Sequence, residues 1–497
     1  MRKLLVRGLL VLLGAAVAAG LAELLLRALE GSRGGIRTHV WPPGLHQTFT
    51  VPAGVMPGVS APTRFSINRD GIRGDPLGNH ALRILAVGGS TTECLYLDDQ
   101  KAWPALLQRR LAATGLDCWV GNVGKSGRTA DQHVLDVDLL LAELPRIDVV
   151  LVLVGVNDLH KRLMYGTTEY VPDDLRVPAA RAALAARSFV HGTRPEGLAL
   201  TRFLGRLWHD HEVAAASGAV LQDSTGAVFP RLRAKRAAQP ARLQLPDLTA
   251  SLRAYQNNLH ALCDAAAQRR ARLVLLTQPT MWRSDLTAAE RALLWMGGIG
   301  DFFSTTSGEY YSVDALAAGM QRFNAVLQEV AGERGVECVD LAAALPKDTH
   351  TFYDDVHFNE EGARAVAAAV GFYLVRNPQA PAGVRPRPRR AAALKPDTNL
   401  AQVKGWGPRE TSTGKPFNPQ PSGDSCLWLQ VEGKLADSCH VRLGDRLLTT
   451  LRTKGLVTAS LPAADAKRLL GRPGSLDVAL VDLDRGLVQP IGKFLVR

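Results

Sequence analysis

Cysteine is scarce in this chain: Cys94, Cys118, Cys263, Cys338, Cys426 and Cys439 are all there are in 497 residues. They are too few and too dispersed for a disulfide scaffold or a structural zinc site, so no metal is implied. Cys426 and Cys439 stand close together in a strand-rich stretch, and two states stay open for them. They bridge in an oxidising compartment, or they are two buried thiols. The other four read as small core residues. Also lacking is a basic stripe with interleaved aromatics. The formal charge is +12, yet Lys and Arg are scattered and aromatics make up only 6% of the chain, which argues against nucleic acid as a partner. The Arg-rich piece from Arg385 to Arg390 lies among prolines and reads as a solvated linker, with contact to anionic lipid or cell-wall polymer the alternative. A chain that is 46% hydrophobic and 21% charged is not disordered as a whole. Its length exceeds one ordinary core and calls for two or three units.

The N-terminus carries a targeting pattern. Arg2, Lys3 and Arg7 precede an apolar run from Gly8 to Ala22 that resumes after Glu23 as Leu24-Leu25-Leu26. A positive start and an apolar stretch of about bilayer length predict a signal anchor over residues 1–30, with everything after Arg27 outside the cytoplasm. Cleavage after the small residues around Ala16-Val17-Ala18, giving a secreted protein, is the alternative. Residues 31–80 then read as a Gly- and Pro-rich extended spacer and lead-in.

From residue 81 the rhythm changes. Leu82 to Val87, Cys118 to Val123, Val149 to Val154, Leu273 to Thr277 and Val336 to Leu341 are short apolar runs without alternation, as in strands covered on both faces of a parallel sheet. Helical periods over Trp103 to Ala113, Thr129 to Leu144, Leu248 to Arg269, Leu316 to Arg334 and Glu360 to Leu374 lie between and after them. The pattern predicts a three-layer α/β/α body over 81–376, interrupted by an insertion over 160–244 that could cover a site as a lid. A Pro- and Arg-rich linker follows over 377–400. Over 401–497, short alternating stretches such as Leu427 to Val431, Cys439 to Leu443 and Leu476 to Val481 predict a small β-sandwich.

Four blocks stand at predicted strand ends or before the last helix: Gly88-Gly89-Ser90-Thr91-Thr92-Glu93, Asn122-Val123-Gly124-Lys125-Ser126-Gly127-Arg128-Thr129, Gly155-Val156-Asn157-Asp158 and Asp354-Asp355-Val356-His357. In open α/β sheets reactive groups gather outside the carboxyl ends of the strands. Each block has a plain reading of its own. Ser90-x-x-Glu93 is a capping box, Ser126-Gly127 a turn and Asn157-Asp158 a strand-end cap. Their shared order supports acyl-transfer chemistry instead, which needs an activated hydroxyl, a proton acceptor and donors aimed at an oxyanion.

Together the blocks resemble the SGNH, or GDSL-like, hydrolase superfamily over Leu82 to Leu374. Gly88-Gly89-Ser90-Thr91-Thr92 and the upstream Asn68-Arg69-Asp70-Gly71-Ile72-Arg73-Gly74 are similar to its bacterial membrane-anchored branch. Gly405-Trp406-Gly407-Pro408 and Phe417-Asn418-Pro419-Gln420-Pro421 resemble an appended immunoglobulin-like, IPT/TIG-type module. The resemblance implies a flavodoxin-like fold and a serine esterase that needs no cofactor. It makes Ser90 the nucleophile, His357 the base and Asp354 its orienter, with the adjacent Asp355 left open as partner. Oxyanion donors would be the backbone N–H groups of Ser90 and Gly127 and the side-chain amide of Asn157. His133, His160 and His350 read as surface or core histidines, Cys94 as a packed thiol and Trp282 as packing. Arg128 and Asn157 suggest polar surroundings and hence an acylated carbohydrate substrate, with lipid or small esters open. An exopolysaccharide O-acyltransferase, and a non-catalytic envelope protein whose sandwich contacts glycan, are the competing functions.

Overall fold

The computed structural model describes residues 38–191 apart from 169 and 171, 224–301, 308–377, and 400–497 with short gaps, together with 395–396 and scattered positions between 14 and 23. Most of the predicted anchor, much of the insertion and nearly all of the predicted linker lie outside the described residues. Among those described, no helix is long and apolar enough to cross a membrane.

Five strands build the central sheet: β1 (Leu82–Gly88), β2 (Cys118–Asn122), β3 (Val149–Leu153), β4 (Arg272–Leu276) and β5 (Glu337–Val339), in the order β5-β4-β3-β1-β2. Ile84 to Gly88 run parallel to β3, β3 to β4, and β4 to β5. Every residue of β2 and β3 is buried, which is why these strands read as unbroken apolar runs. The helices used below are α1 (Ser90–Glu93), α2 (Trp103–Ala113), α3 (Ala130–Glu143), α4 (Val156–Met164), α5 (Ser224–Ala238), α6 (Thr249–Gln268), α7 (Val313–Arg334) and α8 (Glu360–Arg376). The α/β alternation is therefore as expected, within a residue or two at most element ends.

One expectation fails. The stretch before Pro62 is not an extended spacer from residue 38 onward. His46–Phe49 pairs with Thr63–Ser66, and Leu45, Phe49, Phe65 and Ile67 form a buried cluster. Its Gly and Pro residues serve turns rather than extension, and burying several large side chains at roughly 1.5–3 kcal/mol each outweighs a weak local pattern. The indole of Trp41 in this segment donates to the Gly124 carbonyl at 2.9 Å, so the lead-in props the loop after β2.

The chain divides into two compact units: residues 1–78, 84–102 and 121–363, and residues 79–83, 103–120 and 364–497. The second contains the C-terminal strands. β6 (Val403–Gly407), β7 (Ser425–Val431), β9 (Thr449–Thr453) and β10 (Leu456–Leu461) form an antiparallel sheet ordered β6-β7-β10-β9. In the other sheet, β8 (Cys439–Leu443) pairs with β11 (Gly474–Asp482), which pairs with β12 (Leu487–Val496). Leu427, Leu429 and Val457 from one sheet and Val441, Leu480 and Phe494 from the other share one buried cluster, making a sandwich. Cys426 and Cys439 are both buried free thiols.

Candidate active site

Strand β1 ends in two glycines because nothing larger fits. A Cβ on Gly88 would lie 2.2 Å from Thr92 Oγ1 and 2.7 Å from the Leu153 carbonyl, and one on Gly89 would lie 2.4 Å from Asn157 Nδ2. Ser90 follows as the first residue of α1, so its own N–H has no intrahelical acceptor. The capping-box reading does not hold. Gly89 is the N-cap and makes no side-chain cap bond, while Glu93 reaches out of the helix to the Ser126 hydroxyl. Losing a cap costs about 1 kcal/mol; here the Ser90 side chain is committed elsewhere.

It is committed to His357, whose Nε2 lies 2.8 Å from Ser90 Oγ. His357 Nδ1 lies 2.8 Å from Asp354 Oδ2 and 3.0 Å from Oδ1. Asp354 is fully buried, and a buried carboxylate is tolerable only with full hydrogen bonding. It also accepts the N–H groups of Val356 at 3.0 Å and His357 at 2.9 Å, and the indole N–H of Trp295 at 2.8 Å. Burial would raise its pKa, but the charge and hydrogen bond of His357 and the Trp295 indole hold it below the usual carboxylate value. The reciprocal effect acts on His357. Burial disfavours the imidazolium, yet the Asp354 charge and hydrogen bond raise its pKa above the ordinary imidazole value.

Adjacent Asp355 is engaged elsewhere. Its oxygens accept the Trp282 indole N–H at 2.9 Å and the backbone N–H groups of Trp295 at 2.7 Å and Met296 at 3.1 Å. Desolvation raises its pKa against the pull of Arg236. The choice between the two aspartates thus falls on Asp354, and Trp282 serves packing and the Asp355 bond.

The loop after β2 lies against the end of β1. Lys125 N–H bonds the Gly88 carbonyl at 3.1 Å, and Gly127 sits in the left-handed region at φ +79°. Asn157, near the start of α4, donates through Nδ2 to the Arg128 carbonyl at 2.8 Å, and a primary amide has a second N–H to offer. Ser90, Gly127, Asn157 and His357 line one cavity of about 620 Å³. Asp158 is a cap, as its block suggested, but for α3: its oxygens accept the Ala130 N–H at 3.0 and 3.2 Å. Burial and neighbouring Asp131 push its pKa up to about 8.

Arg128 does not face the cavity. It is buried, paired with Asp136 and bonded to the Ser188 carbonyl, so its contribution to polar surroundings is withdrawn. His133 is buried and bonds Asp136 at 3.1 Å, and His350 is exposed. His160 does line the cavity; burial pushes its pKa down to about 4, which leaves it neutral.

What sequence reading missed is the opposite wall. Tyr96, Phe229 and Trp295 meet edge to face, with ring centroids 5.9 and 5.8 Å apart, and Trp295 and Tyr353 lie parallel to the His357 ring at 6.4 and 5.5 Å. Phe229 comes from the insertion, on α5. That helix is held by Arg233, which donates to the carbonyls of Val55 at 2.7 Å, Leu293 at 3.1 Å and Tyr353 at 3.3 Å, and by Arg236 on the carbonyls of Met296 and Tyr311. Its described part is therefore a fixed wall of the cavity.

The GDSL-like Lipase/Acylhydrolase family profile matches residues 86–365, more than half of the chain. The chain belongs to this family. Esterase TesA of Pseudomonas aeruginosa is 35% identical over 108 residues, covering 22% of this chain and 50% of that protein, so the chain spans about half the length of the curated relative it matches. Among solved structures, the acetylxylan esterase Axe2 of Geobacillus stearothermophilus is 14% identical, covers 58% of this chain and 92% of its own, and has a TM-score of 0.31. A lipolytic G-D-S-L family protein of Veillonella parvula is 12% identical, with 58% and 96% coverage and a TM-score of 0.31. All four blocks fall within the family match, while the C-terminal sandwich lies outside it.

Proposed function

We propose that this member of the GDSL-like family is an extracytoplasmic serine esterase acting on O-acylated carbohydrate of the cell envelope. The observation that carries the catalytic part is the relay Asp354–His357–Ser90, with contacts of 2.8 Å at each end of the imidazole. In this reading His357 Nε2 takes the Ser90 proton as Oγ attacks the ester carbonyl. The tetrahedral oxyanion is met by the N–H groups of Ser90 and Gly127 and the Asn157 amide, donors whose loss typically costs about 10²–10³ in rate. His357 returns the proton to the departing alcohol, and an acyl ester remains on Ser90. Water then attacks that ester with His357 again as base, releasing the acid.

The carbohydrate reading rests on the cavity's two sides. Ser126, Thr129, Gln132, Asn157 and Lys161 line it together with the aromatic wall, and a sugar ring offers both hydroxyl edges and apolar C–H faces. The envelope location rests on the N-terminal targeting pattern, which we read as the signal anchor of the membrane-anchored branch. Trp406 and Phe417 lie in the sandwich core, which supports an immunoglobulin-like, IPT/TIG-type module.

The test is hydrolysis of p-nitrophenyl acetate and of an acetylated oligosaccharide by the purified protein, with products analysed. Release of free acid is expected. Preferred transfer of the acyl group to a sugar hydroxyl would replace the esterase by an acyltransferase, and no turnover of any ester would overturn the enzyme.

A further inference from the structure

We infer that Glu93 is a positioning residue of this reaction: it grips the Ser126 hydroxyl, and so aims the next N–H in the chain, that of Gly127, at the oxyanion. The inference rests on the esterase reading above and adds a residue the relay does not use.

Glu93 is 1% exposed, three residues after the nucleophile, in a helix too short to need an acidic first turn. Its carboxylate accepts the Ser126 hydroxyl. The Arg73 guanidinium does not form a hydrogen bond with this carboxylate; it binds main-chain carbonyls, at 2.9 Å to Cys94 and 2.6 Å to Leu97, and Asp99 at 3.1 Å. The carboxyl group is thus left to Ser126, and an unneeded buried carboxylate would be costly to keep. Around it α1 and the loop after β2 are in backbone contact, since a Cβ on Gly124 would lie 2.3 Å from the Glu93 nitrogen. The Asn122 amide donates to the Thr92 carbonyl at 2.8 Å. Lys125 and Ser126 are therefore held on both sides, and Gly127 follows them in the left-handed region at φ +79°. Anchoring the Ser126 side chain, between a Lys125 N–H held by the Gly88 carbonyl and an Arg128 N–H held by the Lys125 carbonyl, restrains the turn that carries the Ser126–Gly127 peptide.

The grip depends on protonation. Four groups interact electrostatically with Glu93: Arg73 from the lead-in, Lys125 from the loop, and His357 and Tyr353 from the histidine loop. Burial outweighs the Ser126 hydrogen bond and the Arg73 charge and pushes the carboxyl pKa up to about 7. Above that value the ionised carboxylate accepts the Ser126 hydroxyl, and below it one of its oxygens carries a proton. Loss of the Glu93 grip and protonation of His357 therefore act in the same direction on the acid side, so two groups shape that limb.

The test compares E93A, E93Q and wild type in p-nitrophenyl acetate hydrolysis across pH 5–9, with fluorophosphonate labelling of Ser90 in each. E93A should lower kcat about 100-fold with KM within about threefold, the size of a displaced oxyanion donor. E93Q keeps an acceptor for Ser126, recovers most of the rate at pH 8, and shows a shallower acid limb at lower pH. An E93A that labels normally with unchanged kcat overturns the inference alone. Should E93A not fold, E93Q decides, and an acid limb identical to wild type overturns the positioning role. Wild type that neither labels nor hydrolyses overturns the esterase reading with it.

Discussion

The two sides of the cavity are built differently. Its reactive side comes from the ends of β1, β2 and β3 and from the loop before α8, and each side chain there is held by named polar bonds: Ser90 to His357, His357 to Asp354, Asn157 to the Arg128 carbonyl. Its aromatic side comes from the segment after α1, from α5 and from the loop carrying Trp295; Tyr96 and Phe229 are placed by packing, against a Trp295 whose indole N–H is tied to Asp354. Groups fixed by directional bonds can stabilise a transition state, whereas groups fixed by packing mainly shape what fits. Substitutions on the first side should fall on kcat and those on the second on KM.

The harshest trial of that contrast is Ser90→Ala or His357→Ala. Each is expected to lower kcat by about four to six orders of magnitude with the fold intact; steady-state rates with circular dichroism check both halves. Next come the neighbouring aspartates. Asp354→Asn should cost about 10⁴-fold in kcat by mis-setting the imidazole. Asp355→Asn should leave the rate of folded enzyme within about tenfold, because Asp355 bonds Trp282 and the Trp295 and Met296 main chain rather than His357. Equal losses would erase the distinction drawn between them.

Asn157→Ala should lower kcat about 10²–10³-fold with little change in KM. The pH profile sharpens the picture further. His357 must be neutral to act, and Asp354 raises its pKa, so kcat/KM should fall on acidification from a midpoint above the ordinary imidazole value. In Asp354→Asn that midpoint should shift down. The mildest effect is expected on the aromatic side: Phe229→Ala should raise KM several-fold for bulky esters and leave kcat for acetyl esters near wild type. A loss confined to kcat would contradict the division.

The same contrast explains what could be read without coordinates. Ser90, Asn157, Asp354 and His357 were legible because chemistry restricts residue type and strand ends restrict position, and the sheet was legible because buried parallel strands are uniformly apolar. Tyr96, Phe229 and Trp295 lie in no motif; their meeting depends on chain segments more than 60 residues apart in sequence packing together, and a lone aromatic in an Ala- and Arg-rich helix carries no local signal. Glu93 was visible but read as a capping residue, since helix-start statistics cannot show that its partner is Ser126 across a loop. Arg128 failed in the other direction. Its place in a motif suggested a role in the cavity, while its charge is used inside the body against Asp136.

The central claim is that Ser90 is an activated nucleophile. Treatment with a fluorophosphonate followed by peptide mass mapping tests it most directly. The account predicts a single adduct on the Ser90 peptide, absent in Ser90→Ala and formed far more slowly in His357→Ala. An adduct on another residue, or labelling indifferent to both substitutions, would contradict it.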